Sequence, residues 1–156
     1  MKIVKVLISE PALVGLEASA YGSLTLGSKG VLFGKVYGGS KGHLYTVNAA
    51  HPFLTQRYED ETARISQAMI DLGKPIGEFC SYVVNGKKPK ILARDIRGGE
   101  IGLVLALRNV RTSGRSRLEG EGPFVFIGED KEVHRIDFRA YYADHGLKIA
   151  QIKLER

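Results

Sequence analysis

The residues whose side chains are best suited to catalysis or metal binding lie in one stretch of the sequence. This stretch, GKPIGEFCSYVVNGKKPKILARD, runs from Gly73 to Asp95. It contains Cys80, the single cysteine of the chain, and it ends in the carboxylate of Asp95. A thiolate can act as a nucleophile or as a metal ligand, and a carboxylate can bind a metal or move a proton. The stretch therefore indicates either catalysis by Cys80 or a metal site.

A cysteine nucleophile needs a base beside it, and the candidates are the four histidines of the chain: His43, His51, His134 and His145. No local pattern connects any of them to Cys80. A lone cysteine on a β-strand is more often a small buried apolar residue, and we favour that interpretation. His51, at the end of a predicted strand, is better explained as a turn residue.

A hydrolytic zinc site needs several ligands, one open position for water, and a carboxylate that takes the proton of that water. Glu78 precedes Cys80 by two residues, so on a regular strand the two side chains share a face. Glu78 is therefore the carboxylate that could act as an alternative acid or base. Asp95 has a simpler interpretation as a turn or helix-cap residue.

The elements that position these residues alternate at first and then become mostly strands. Helices are predicted after the start signal Ser9-Glu10-Pro11 and over 55–72, and strands over 2–8, 30–39, 43–51, 75–84, 100–110, 124–127, 132–142 and 147–155. The two strands joined by GGSKG should pair antiparallel. In the last predicted strand, the apolar residues Leu147 and Ile149 are odd-numbered, whereas Ile152 and Leu154 are even-numbered. The two pairs would lie on opposite faces of a regular strand, which indicates a bulge or burial on both faces.

Composition places the chain among ordinary globular proteins. It has 156 residues, 44% of them hydrophobic and 26% charged, which predicts one domain over 1–156. It contains no long apolar run and no leader-like segment, and a single cysteine suits a reducing compartment. We therefore expect a cytoplasmic protein without a membrane segment.

The charge is clearly basic, with a formal net charge of +6 and a pI near 9.5. The cations cluster in two segments, 85–90 and 108–117, as Lys87, Lys88, Lys90, Arg108, Arg111, Arg115 and Arg117. Neither segment is interleaved with stacking aromatic residues or accompanied by a nucleic-acid-binding motif. Solvated surface charge is the favoured interpretation, and weak nucleic-acid binding through these loops is the alternative.

Several segments resemble the JAB/MPN family, whose active members are JAMM metalloproteases that hydrolyse isopeptide bonds. They are ISEPALVGLEASA, GVLFGKV, AMIDLGKPIGEFCSY and RIDFRAYYADHGLKIAQIKL, which together extend over nearly the whole chain. GVLFGKV is similar to the family's G-x-L-x-G strand, and GEFCSY to its G-E-x-H-S-H strand. The resemblance implies an α/β fold of the α+β type, with a mixed, curved β-sheet flanked by helices.

The resemblance also implies where the family's zinc site would lie. The two histidine ligands match Cys80 and Tyr82, and the serine between them is kept as Ser81. The S-x-x-D motif matches the residues from Leu92 to Asp95, so the aspartate is kept while its serine is replaced, and the loop before it is two residues longer than usual.

The catalytic glutamate of the family matches Gly27. Because Asp95 would be the one ligand type left, the resemblance implies a lost metal site and no cofactor. It implies a non-catalytic protein-binding or scaffold module, whose partner is an active relative, a ubiquitin-like tail or another extended peptide. The alternative is a divergent JAMM-like peptidase that uses Cys80 or an atypical zinc site.

Overall fold

A computed structural model describes residues 3–21, 27–53, 58–83, 90–109, 125–127 and 133–155 of the chain. These residues form strands β1 (Ile3–Ile8), β2 (Lys29–Gly39), β3 (Gly42–Pro52), β4 (Pro75–Val83), β5 (Ile101–Asn109), β6 (Val125–Ile127), β7 (Val133–Ala143) and β8 (Leu147–Leu154). The helices are α1 (Glu10–Tyr21) and α2 (Tyr58–Leu72), with a short 3-10 helix at Ala93–Asp95. The predicted elements therefore occur in the predicted order.

The start of α1 follows the predicted signal. The hydroxyl of Ser9 accepts a hydrogen bond from the backbone N–H of Ala12 at 3.4 Å, and the carbonyl of Ser9 accepts one from Leu13 at 2.9 Å. A serine at this position satisfies an N–H group that has no partner inside the helix. None of the helices in the described ranges is long and apolar enough to cross a membrane.

The strands form a closed seven-stranded barrel in the order β5-β4-β2-β3-β1-β8-β7, and the pairing of β5 with β7 closes the ring. β1 runs parallel to β3 and β8, and β4 runs parallel to β5, whereas the other pairs are antiparallel. β6 pairs with the first residues of β7, on the edge of β7 that β8 occupies farther along, because β5 holds the other edge. The closing ladder is long, because it extends over eight residue pairs.

The core fills the inside of the barrel. The even-numbered residues of β1 point inward and are buried, together with alternate residues of β5, among them Leu103, Leu105 and Leu107. α1 packs four small or branched residues against the same core: Ala12, Leu13, Leu16 and Ala20. Because side chains alternate along a strand, the odd-numbered residues of β1 face outward.

The predicted fold class is wrong. A mixed, curved sheet flanked by helices was expected, but the sheet closes on itself and the described chain contains two longer helices. The physical reason is the ladder between β5 and β7, which joins Gly102–Asn109 to His134–Tyr141. Closure removes most of the open sheet edges that a flanked sheet would leave for other elements to cover.

Candidate functional site

Gly27 and Ser81, two of the predicted site residues, are in contact where β2 and β4 begin to pair. Ser81 is buried, and its hydroxyl oxygen accepts a hydrogen bond from the N–H of Ser28 at 2.8 Å and lies 2.7 Å from the Ser28 hydroxyl. Gly27 has φ of 77°, and a Cβ there would lie 2.4 Å from the carbonyl oxygen of Ser81. The glycine is needed for this close approach, and the two serines join the strands.

Cys80 lies on the outer face of β4, between Lys29 of β2 and Val104 of β5. Burial raises the pKa of its thiol, the charge of Lys29 acts in the opposite direction, and the nearby carboxylate of Glu78 raises it further. Burial is the largest of these effects, so the thiol is protonated at neutral pH. This is the electrostatic setting of a structural cysteine rather than of an activated nucleophile.

We expect Cys80 to react with iodoacetamide at pH 7.5 more slowly than free cysteine, because its raised pKa lowers the fraction of thiolate, which is the reactive form. The rate should rise with pH beyond the point at which free cysteine levels off. Glu78→Gln removes a charge that raises the pKa and should speed the reaction, whereas Lys29→Met should slow it. A rate that already levels off at neutral pH would contradict this account and revive the nucleophile hypothesis.

The histidines proposed as bases are placed elsewhere on the barrel. His51 lies on β3, which β2 separates from β4, and its ring meets that of Phe33 edge to face at 5.3 Å between centroids. His43 lies at the other end of β3, 6.5 Å from the ring of Tyr45, and His145 is in the exposed turn before β8. The side chain of His134 lies outside the described residues. The described histidines are therefore not placed to activate Cys80.

Asp95 and Leu92 form a local turn rather than part of a pocket. The carboxylate of Asp95 accepts a hydrogen bond from the N–H of Leu92 at 2.9 Å, and the N–H of Asp95 donates to the carbonyl of Leu92 at 2.9 Å. This is the turn role that was the simpler interpretation of Asp95. In the part of the chain that the structure describes, no group of three or more His, Cys, Asp or Glu side chains is arranged to hold a metal ion.

The predicted alternative acid or base, Glu78, is exposed on the outer face of β4, and Tyr82 is half-buried on the same face. Burial raises the pKa of Glu100, the charges of Arg97 and Lys74 act in the opposite direction, and the carboxylate of Glu78 raises it further. Burial also raises the pKa of Tyr45, with a smaller contribution from Glu100, and the hydroxyl of Tyr45 donates to the carbonyl of Gly99 at 2.8 Å. This polar group at the start of β5 was not anticipated from the sequence.

The basic residues are only partly described. Arg108 pairs with Asp137 at 2.6 Å, and Arg135 pairs with the same carboxylate at 3.0 Å. Lys90 is exposed. The other cations of the two basic segments lie outside the described residues: Lys87, Lys88, Arg111, Arg115 and Arg117. Nucleic-acid binding through these loops stays a prediction.

A more prominent feature is a band of exposed apolar side chains on the outer surface of the barrel, here called the apolar band. Its members are Ile3, Tyr37, Leu44, Leu147 and Ile149, which are 36–62% exposed. Tyr37 is directly opposite Leu44, and Leu44 is diagonal to Ile3 across the pairing of β1 with β3. Ile149 lies on the outward face of β8, two residues before Gln151, which pairs with Lys5 of β1. The members of the band therefore lie on four neighbouring strands, β2, β3, β1 and β8.

Next to the apolar band, a depression of about 290 Å³ opens on the same outer face. Tyr37 belongs to both, and the depression is otherwise mostly polar, with lining residues Leu7, Ser9, Lys35, Thr46, Asn48 and Glu155. Lys35 and Glu155 supply one charge of each sign. Together the band and the depression form an apolar strip with a polar margin, which is the usual arrangement of a protein interface.

The sequence contained a signal for this surface that was interpreted differently. The change of parity in β8 was taken as a bulge or burial on both faces, but neither the ladder with β7 over 147–150 nor the ladder with β1 over 151–154 contains a register shift. Leu147 and Ile149 are instead exposed, while Ile152 and Leu154 pack against the core. Ser28, the partner of Ser81, is 53 residues away in sequence and had no comparable signal.

No protein-family model and no curated protein matches this chain. Among solved structures, the chain is similar to the solution structure of protein DSY2949 from Desulfitobacterium hafniense. The similarity covers 97% of this chain and 93% of that one, with a TM-score of 0.53 and 15% sequence identity. At this identity, the likeness shows the fold alone.

The resemblance to the JAB/MPN family is wrong. That family has a sheet-and-helix fold, whereas this chain and its structural neighbour form a closed barrel of seven strands. No family match supports the resemblance either. The description of this chain as a JAMM-like pseudo-enzyme is therefore withdrawn, and the zinc-site roles assigned to Gly27, Cys80, Tyr82, Leu92 and Asp95 lose their basis.

Proposed function

We propose that this protein acts by binding another polypeptide through the apolar band, without a cofactor, in the cytoplasm. The observation that carries the proposal is the exposure of five large apolar side chains on four neighbouring strands of the barrel. Contiguous apolar patches with a polar margin commonly mark sites of protein interaction. The free cysteine supports a reducing compartment.

The composition of the apolar band is suited to binding. Tyr37 is 54% exposed and stands between the band and the polar depression, so it can bury its ring while its hydroxyl keeps a polar contact. Covering the exposed part of each aliphatic side chain contributes roughly 1 kcal/mol. The five side chains together offset only part of the cost of association, so we expect the polar depression to take part in the interface.

A catalytic function has weaker support from the same geometry. Cys80 is held as a thiol, the hydroxyls of Ser28 and Ser81 are bonded to each other, and Asp95 is engaged in its own turn. A hydrolase needs a nucleophile or metal-bound water beside a base. The residues predicted to supply those groups do not converge on one cleft in the described structure.

The proposal is tested by thiol labelling inside the cell that naturally makes the protein. In a Cys80→Ala background, Ile149→Cys places a thiol in the apolar band, and Ala18→Cys places one at an exposed position of α1 as a matched control. A membrane-permeable maleimide is applied to cells and to the purified protein at low concentration. Binding through the band predicts slower labelling at position 149 in cells, with position 18 labelled equally in both settings.

Two outcomes would contradict the proposal. One is equal labelling of position 149 in cells and in the purified protein. The other is equal slowing at positions 149 and 18, because general crowding or competition with cellular thiols affects both. If protection at position 149 also grows with the concentration of the purified protein, the polypeptide that binds the band is a second copy of this chain.

A further inference from the structure

The described strands pair with β2 on both sides over its first half and on one side over its second half. The ladder with β4 ends where Phe33 is opposite Pro75, the first residue of β4, whereas the ladder with β3 continues to Gly39. The chain reaches β4 from α2 through Gly73, whose φ of 82° ends the helix, so the chain before Pro75 does not extend the strand. Among the described residues, 35–39 of β2 therefore have a strand partner on the β3 side alone. This stretch is here called the β2 edge.

The β2 edge lies at the surface, at the end of the barrel where β4 and β5 begin. The segments that lead into these two strands, 58–74 and 90–100, both belong to the described residues. Gly38 and Gly39 are exposed, and because glycine has no side chain, this exposure is that of the backbone. A Cβ at Gly39 would meet no atom within 4 Å, and the nearest atoms to one at Gly38 are in the ring of His43 at 3.2 Å. The backbone of the β2 edge is therefore accessible to another strand.

The hydrogen bonds of β3 show which backbone groups of the β2 edge face its free side. N–H groups of the first residue of β1 and of the residue after its end donate to the carbonyls of Lys41 and Val47, at 3.1 and 3.0 Å. The odd-numbered residues of β3 therefore direct their backbone groups toward β1, and the even-numbered ones bond to the odd-numbered residues of β2 opposite them. It follows that Val36 and Gly38 direct their N–H and C=O groups away from β3, toward the free side.

The residues of the β2 edge are self-complementary about Tyr37. In an antiparallel pair of two copies with a twofold axis at Tyr37, Val36 of each copy is opposite Gly38 of the other. Each such pair exchanges two hydrogen bonds, because both residues direct their free backbone groups to this side. Lys35 is opposite the uncharged Gly39, and the two Lys35 residues lie about 13 Å apart along the strands. The register therefore satisfies the free backbone groups without bringing like charges together.

The side chains at the axis suit the same register. Tyr37 is 54% exposed on the outer face, and in this register the two Tyr37 residues form a non-hydrogen-bonded pair with Cα atoms about 4.5 Å apart. Aromatic residues opposite each other at such positions stabilise paired strands. On the other face, Val36, which is 43% exposed, packs over Gly38 of the second copy, where no side chain obstructs it. Because Tyr37 belongs to the apolar band, the pairing joins the bands of both copies.

We infer that the β2 edge binds the β2 edge of a second copy of this chain, as an antiparallel strand pair with its twofold axis at Tyr37. The inference goes beyond the proposed function, because it concerns the edge of β2 and not the covering of the apolar band. The ladder is short, so the dimer dissociates on dilution.

Amide hydrogen exchange tests the edge and its occupant together. In dilute protein, the N–H groups of Val36 and Gly38 should exchange at least about tenfold faster than those of Lys35 and Tyr37, which belong to the ladder with β3. Raising the protein concentration about a hundredfold should slow exchange at 36 and 38 by about tenfold, with little change at 35 and 37. Equal protection of all four amides in dilute protein, or no effect of concentration, would overturn the inference.

Cross-linking tests the register. In a Cys80→Ala background, Tyr37→Cys places two thiols at the twofold axis, within the Cα separation that a disulfide spans. Lys35→Cys is the matched control, because it is exposed on the same strand and face but lies far from its counterpart. In a glutathione redox buffer, Tyr37→Cys should give at least about tenfold more disulfide-linked dimer than Lys35→Cys. Equal yields would show random collision and contradict the register.

A substitution of the backbone donor tests whether the strand pairing holds the dimer. Val36→Pro removes the N–H on the free side and keeps the ladder with β3, as proline does on edge strands, while Val36→Thr keeps both the N–H and the branched shape. In sedimentation velocity at increasing concentration, the unchanged protein and Val36→Thr should shift from a 17.1 kDa monomer toward a dimer, and Val36→Pro should not. A monomer at every concentration for the unchanged protein, or equal dimerisation of Val36→Pro, would show the inference to be wrong.

The labelling experiment at position 149 reports on a different surface. Ile149 lies on β8, which β3 and β1 separate from β2, so a dimer through the β2 edge leaves position 149 accessible. Dimerisation with equal labelling of position 149 in cells and in the purified protein would support this inference and remove binding through the apolar band. Protection of position 149 in a protein that stays monomeric would do the reverse.

Discussion

Replacing Gly34 with alanine is expected to lower the free energy of unfolding by about 3 kcal/mol or more. Gly34 lies at the irregularity where the pairing of β2 with β3 shifts register, and a Cβ there would lie 1.7 Å from the carbonyl oxygen of Thr46. That oxygen belongs to the backbone of the neighbouring strand, so it cannot move aside without opening the ladder. For a chain of this size the melting temperature should fall by about 10 °C.

Gly39→Ala is the matched control for this substitution. It changes a glycine to alanine on the same strand, but a Cβ at Gly39 meets no atom within 4 Å. Its stability should stay within about 0.5 kcal/mol of the unchanged protein in urea unfolding. If Gly34→Ala were as stable as Gly39→Ala, β2 and β3 would not approach each other as closely as the barrel requires.

Replacing Leu105 with alanine is expected to cost about 3 to 4 kcal/mol. Leu105 is fully buried on β5, where it is opposite Ser81 of β4 on one side and Phe138 of β7 on the other. Shortening this side chain removes apolar contacts and leaves a cavity that the paired strands on both sides cannot collapse into. Urea unfolding monitored by far-ultraviolet circular dichroism measures the change.

Leu44→Ala makes the same substitution on an outward-facing position of β3. Leu44 is 36% exposed, so removing its methyl groups leaves no internal cavity, and the cost should be below about 1 kcal/mol. An equal cost for both leucines would contradict the assignment of inward and outward faces. That assignment underlies both the core and the apolar band.

The local part of the fold could be predicted from the sequence, because its signals lie within a few residues of one another. Ser9 marks the start of α1, and GGSKG joins β2 to β3 as an antiparallel hairpin. Closure of the barrel depends on the pairing of β5 with β7, whose paired residues are about thirty positions apart. The sequence contains no local signal that identifies one strand as the partner of the other. The same strands are compatible with an open curved sheet until that pairing is known.

The predicted chemistry depended on the resemblance of short sequence segments to a family, not on the positions of the side chains in space. Cys80 and Asp95 share a stretch of sequence, but one lies on a strand of the barrel and the other in a turn stabilised by its own hydrogen bonds. The useful signal for an interaction surface was in apolar residues that did not fit the inward-facing alternation of their strand. Leu147 and Ile149 broke the alternation of β8, as exposed apolar residues do at an interaction surface.

The measurement that tests the central claim most directly is the rate of maleimide labelling at Ile149→Cys in cells, divided by the rate in the purified protein. Binding through the apolar band predicts a ratio at least about fivefold below that of Ala18→Cys, because a buried thiol reacts only when the complex opens. The same ratio at both positions would contradict the account.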